Sequence, residues 1–219
     1  GFGSGLDTSV ATLSSLKANL SQTLDLAKEA LINPTFPEKE IERIKKETLA
    51  GIIQEENRPA SIAYRNIGKL LYGDNHPYGK PLTGSGISET ISSITRANIM
   101  DVHSRAINSA HLTFAVAGDI EMDELVDLLE SKFGDWSANS DSGLKALTTV
   151  ELPNTRTIYL IDKPNAQQSY IVAGQLLPPS ATDEEIEIDY MNYAIGGSFT
   201  ARLNMNLRED KSWSYGVRT

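Results

Sequence analysis

Over the first 136 residues, apolar side chains recur at helical spacing almost throughout, and one stretch alone alternates like a strand. "NLSQTLDLAKEALINP" carries Leu20, Leu24, Ala27 and Leu31 on one helical face and stops before Pro34. "FPEKEIERIKKETLAGIIQEENRP" predicts a second, longer helix. Pro37, Glu38 and Glu40 suit its first turn, and Ile41, Ile44, Thr48 and Ile52 mark its inner face. A third helix is expected from about Ala60 to Leu71, broken by the turn-rich "YGDNHPYGKPLTGSG". Thr95 reads as the N-cap of a fourth, running to Ala106. "HLTFAVAG" alternates Leu112, Phe114 and Val116 as a half-buried strand, and "DIEMDELVDLLESKFG" returns to the helical period.

The pattern changes after "SANSDSGLKA", the most linker-like stretch of the chain. "TIYLID" and "SYIVAG" read as strands, and "TDEEIEIDYMNYAIGG" as a helix whose acidic first turn complements its dipole. A helix over "TARLNMNLRED" leads into a last strand, "SYGVRT". The expected fold is α+β, with a first unit at 1–137, a linker at 138–146 and a second unit at 147–219. The first unit opens on a fragmentary strand and the second closes on one, so both are expected to be incomplete.

A formal net charge of −9 repels phosphate backbones and argues against a nucleic-acid partner. No apolar run reaches the roughly 18 residues of a membrane helix, and no basic-then-apolar leader begins the sequence. Without cysteine there is no disulfide, thiolate metal site or cysteine nucleophile. The three histidines, His76, His103 and His111, show no H-x-x-x-H, H-E-x-x-H or H-x-x-E-H spacing, so no helix presents two zinc-binding imidazoles on one face. They read as a turn residue, a helix-flank residue and a strand-start residue.

Other imitations of sites also fail. The run Asp183, Glu184, Glu185, Glu187 and Asp189 lacks the glycine and alternating oxygen ligands of a calcium loop. "GKPLTGSG" lacks the G-K-[ST] ending of a phosphate loop, and no G-x-S-x-G elbow supplies a serine nucleophile. "IGGSFTARLNMNLRED" is more informative. Gly196 and Gly197 end one helix, and Arg202 and Arg208, six apart, fall on different faces of the next. Read from the residues alone, Arg208 is a helix-end cation favoured by the macrodipole, and Tyr215 a packed strand aromatic.

Four segments, in order, resemble the insulinase/pitrilysin family of zinc metallopeptidases, peptidase family M16. They are "ALINPTFPEKEIERIKKETLAGI", "HPYGKPLTGSGISETISSITRANIMDVHSRAI", "LTFAVAGDIEMDELVDLLESKFGDW" and "IGGSFTARLNMNLREDKSWSYGV". The likeness covers nearly the whole chain. It implies tandem M16/LuxS-metallohydrolase-like domains, each a mixed, mostly antiparallel sheet with helices packed on one face, closing around a peptide. It also implies that this chain is a middle section: the later part of one domain, then the earlier part of the next.

In such proteins an arginine and a tyrosine on the domain opposite the zinc engage substrate, and Arg208 and Tyr215 match those positions. "KSWSY" stands where the family usually has x-G-L-A-Y, so Ser212 replaces a glycine and Trp213 adds bulk. The H-x-x-E-H signature is absent, and the third ligand, a glutamate, would fall near Gly51. Glu47 and Glu55 lie one turn to either side, and a slip of register would promote Glu55 instead. The resemblance therefore implies a non-catalytic half, inactive alone. Its expected partners are a peptide or unfolded polypeptide and a zinc-bearing half or subunit. The zinc would belong to the parent enzyme and the compartment would be the periplasm, otherwise the cytoplasm.

Overall fold

The computed structural model describes residues 1–137, 147, 149–151, 155–179 and 182–219. They form two compact units, Gly1–Gly174 and Gln175–Thr219. The expected linker at 138–146 lies outside the described residues. The first unit opens with an antiparallel hairpin, β1 (Phe2–Ser4) and β2 (Ser9–Ala11), in which Gly3 faces Val10. Helices follow: α1 (Leu20–Ile32), α2 (Glu38–Glu55), α3 (Pro59–Tyr72), α4 (Ser88–Ser93), α5 (Arg96–Ala106) and α6 (Met122–Phe133). Among the described residues none is long and apolar enough to cross a membrane.

Local chemistry explains two of the helix starts. α3 has proline at its start, where a missing N–H costs nothing. Thr95 caps α5 as expected: its Oγ1 accepts from Asn98 N at 3.2 Å, and its own N donates to Asn98 Oδ1 at 2.9 Å. Leu24 and Ala27 of α1, and Ile41 and Ile52 of α2, are buried, with Ile52 fully so. Ile44 departs from the expected stripe and is 53% exposed. Lys45 takes its place inward, with its Nζ donating to Ile94 O at 3.0 Å. A lysine stem can cover apolar surface if its amine finds a partner, and here the chain entering α5 supplies one. α2 packs on α4 and α1 on α6, the latter pair joined by Lys28–Asp135 at 2.7 Å and Lys132–Asp25 at 2.6 Å. Gly68 allows the 78–80 turn to lie on α3, because a Cβ there would come within 2.6 Å of Tyr78 O.

The strands expected at 111–118, 157–162, 169–174 and 214–219 find no ladder partner among the described residues. Among the described residues the one ladder is β1–β2, so the mixed antiparallel sheet is not formed there. Alternation in sequence reports a face that suits burial, whereas a strand needs a neighbour for its N–H and C=O groups. Ile158, Leu160 and Ile171 are 95%, 93% and 87% exposed.

The second unit contains α7 (Glu185–Asn192), which passes into a π-helical turn at Tyr193–Gly197. A short loop leads to α8 (Arg202–Asn204), which widens into a second π-helical stretch, Met205–Asp210. The sequence predicted an ordinary α-helix in both places.

Candidate functional site

Both predicted substrate-site residues belong to the second unit. Arg208 lies in the Met205–Asp210 stretch, where Lys211 N reaches back five residues to Asn206 O at 3.2 Å. The helix ends with Ser212 N donating to Arg208 O at 3.1 Å and Trp213 N to Leu207 O at 2.9 Å. Each bond reaches one residue further than in the usual left-handed helix stop, as a π ladder requires. Ser212 itself has φ of +55°, so the backbone keeps the left-handed turn despite a β-carbon.

The chain then folds back along the unit. Ser214 Oγ donates to Gly216 O at 2.8 Å and accepts from Gly216 N at 3.1 Å, which bends the backbone at Tyr215. Thr219 N donates to Gly196 O at 3.3 Å. Gly196 permits this seat, since a Cβ there would meet Thr219 Oγ1 at 2.5 Å.

Asn204 fastens the parts together and was not singled out from the sequence. It is buried, with Nδ2 donating to Phe199 O at 2.7 Å and Oδ1 accepting from Val217 N at 3.2 Å. One amide therefore fixes the loop before α8 and the returning segment after Tyr215. Nothing in a lone asparagine within a helical pattern flags such a role; it depends on contacts distant in sequence.

This scaffold brings Arg208 and Tyr215 together. The Arg208 Cζ lies 5.3 Å from the Tyr215 ring centroid and 4.8 Å from that of Phe199, which sequence reasoning also missed. Its Nε faces Glu209 Oε1 at 3.3 Å, and Glu209 is its one carboxylate partner among the described residues. Tyr215 is 94% exposed, so its hydroxyl is open to solvent. Lys211 Nζ lies 4.7 Å from the centroid of the exposed Trp213 ring, a second cation–aromatic pair in the same turn. Arg202, also exposed, is not part of either group.

The other candidate, Glu55, sits in the first unit. Ser85 Oγ donates to it at 2.6 Å and Arg65 Nη1 at 2.7 Å, while Arg65 Nη2 holds Gly86 O at 3.0 Å. Burial by itself raises the Glu55 carboxyl. Hydrogen bonds from Ser85, Arg65 and Thr83, with the Arg65 charge, outweigh it and hold the group below the ordinary carboxylate range. Glu47 is engaged by Arg43 at 2.8 Å, and Gly51 offers no ligand. Among the described residues no cluster of three or more histidines and carboxylates could hold a metal. A zinc ion therefore does not fit these side chains: Glu55 would have to abandon Arg65, leaving a half-buried guanidinium without its counter-charge. A cleft of about 400 Å³ beside this network is lined by Glu56, Ile62, Arg65, Asn66 and Pro81.

The chain is similar to several known proteins. The chain is 24% identical over 202 residues to an uncharacterized zinc protease of Mycobacterium leprae, covering 92% of this chain and 45% of that protein. It is 26% identical to another from Bacillus subtilis, covering 92% and 47% respectively. The chain thus spans about half the length of the curated relatives it matches. A solved structure described as a peptidase M16 inactive domain from Pseudomonas fluorescens superposes with a TM-score of 0.81 at 24% identity, over 99% of this chain and 52% of that one. The sequence model of the peptidase M16 inactive domain matches residues 93–219, which contain Asn204, Arg208 and Tyr215. With more than half its length matched by the inactive-domain model and the fold in agreement, the chain belongs to the M16 peptidase family.

Proposed function

We propose that this chain is a non-catalytic section of an M16-type zinc peptidase. In this reading it forms part of the wall around a peptide substrate and orients that substrate through Arg208 and Tyr215. The observation that carries the reading is their meeting: a guanidinium over the tyrosine ring, beside an exposed phenol, on one turn of the second unit. Guanidinium and phenol both donate hydrogen bonds to a peptide carbonyl, and a fixed donor favours developing oxyanion charge. The zinc and the water it activates come, on this reading, from another half or subunit; the relatives' names, zinc proteases, support zinc in the parent protein. Residues 1–137 and 147–219 belong, on this reading, to two consecutive domains of the same architecture.

Arg208→Ala and Tyr215→Phe, introduced into the assembly with the zinc-bearing half, test the proposal. Each is expected to lower hydrolysis of fluorescein-labelled casein peptides on the order of 100-fold, the scale for losing one oriented donor. Unchanged hydrolysis in both would favour a scaffold without a substrate role. The 219-residue chain alone is expected to be inactive; zinc-dependent cleavage abolished by Glu55→Gln would return the metal to this chain.

A further inference from the structure

We infer that Phe199 is a positioning residue for Arg208, setting its guanidinium so that its outer N–H groups face substrate. The inference rests on the substrate-orienting reading of Arg208 and adds a residue to it. Phe199 is 60% exposed, so core packing does not account for its ring. Among the described residues its ring faces the Arg208 guanidinium, whose Cζ lies 4.8 Å from its centroid. Tyr215 supplies a second ring at 5.3 Å. The attraction between a cation and the negative face of an aromatic ring acts on the delocalised guanidinium without consuming its N–H donors. Glu209 engages Nε at 3.3 Å, which leaves the terminal nitrogens for an acceptor.

The position of the ring is itself fixed. Asn204 Nδ2 binds Phe199 O at 2.7 Å, so the loop is held through its backbone and not through the phenyl group. A side-chain substitution at Phe199 therefore leaves the anchor in place. An arginine side chain half in solvent otherwise explores many rotamers, and ordering it on binding weakens affinity. Phe199 reduces that ordering in advance.

The 219-residue chain allows the test, with Phe199→Leu removing the ring face and Phe199→Tyr retaining it. In proton–nitrogen NMR spectra, Phe199→Leu is expected to remove part of the ring-current shift of Arg208 Hε and increase the mobility of Nε. Phe199→Tyr should preserve both. Titration with fluorescein-labelled casein peptides should weaken about two- to five-fold in Phe199→Leu, the equivalent of one exposed cation–aromatic contact, and recover in Phe199→Tyr. An Arg208 Nε–Hε signal unmoved by Phe199→Leu would overturn the inference, as would equal weakening by both variants. If Arg208→Ala leaves titration unchanged, the substrate-orienting reading fails, while the Nε–Hε signal still decides whether Phe199 positions the guanidinium.

Discussion

Arg65 and Arg208 use the same guanidinium in opposite ways. Arg65, with a side chain 12% exposed, spends its donors on Glu55, Ser85 and Gly86 O and so closes α2, α3 and the 83–86 turn around itself. Arg208, 34% exposed, rests on two rings and touches one neighbouring carboxylate. A guanidinium whose donors are satisfied internally stabilises the fold and has little left for a ligand. One held by ring faces keeps its donors for something outside. The two arginines thus separate a structural site from a candidate binding site without reference to any motif.

The largest expected effect is on the structural side. Arg65→Ala should destabilise the first unit by about 3 kcal/mol, because it strands the Glu55 carboxylate, whereas Arg208→Ala should cost under ~1 kcal/mol. Urea titration of both variants measures the gap, and similar losses would break the contrast. Asn204→Ala comes next, at about 2 kcal/mol for two hydrogen bonds lost from a buried amide. Its mark should be faster hydrogen exchange at Val217 N–H, with the first unit unaffected.

The pH response sharpens the comparison further. Glu55 is held below its ordinary pKa in the folded state, so its contribution is complete above the ordinary carboxylate range. It is lost as the pH falls through the lowered folded-state value. Glu55→Gln should flatten that acid limb of the stability curve, and an unaltered limb would show that another group controls it. The smallest effect belongs to Ser212. With φ at +55° it carries a β-carbon where glycine suffers no clash, so Ser212→Gly should stabilise the second unit by about 0.5–1 kcal/mol in thermal melts. A loss instead would mean that the entropy of an added glycine exceeds the relief.

Features set by neighbouring residues were legible in the sequence. The Thr95 cap, the stop of α1 before Pro34 and the α1 stripe through Leu24 and Ala27 all follow from short-range rules. Features decided across the chain were not. Ile44 lost its inward place to Lys45 because a carbonyl at Ile94, far along the chain, can take the amine. The alternating segments have suitable side chains, but their ladders depend on partners that alternation does not specify. At the candidate site, family resemblance drew attention to Arg208 and Tyr215 and to the missing glycine at Ser212. It said nothing of Phe199 or Asn204, whose roles arise only when residues 199, 204, 208 and 217 meet.

The widened ladder at Met205–Asp210 has one more consequence. A π turn carries a residue more than an α turn over the same hydrogen-bonded circuit, much like an insertion absorbed without lengthening its surroundings. Removing one residue there would let the helix rewind at normal pitch and leave all that follows near its present place, whereas the same deletion in an α-helical stretch would swing it by about 100° around the axis. The direction in which Tyr215 points should therefore survive the loss of one residue from this stretch, though not the same loss from a helix of normal pitch.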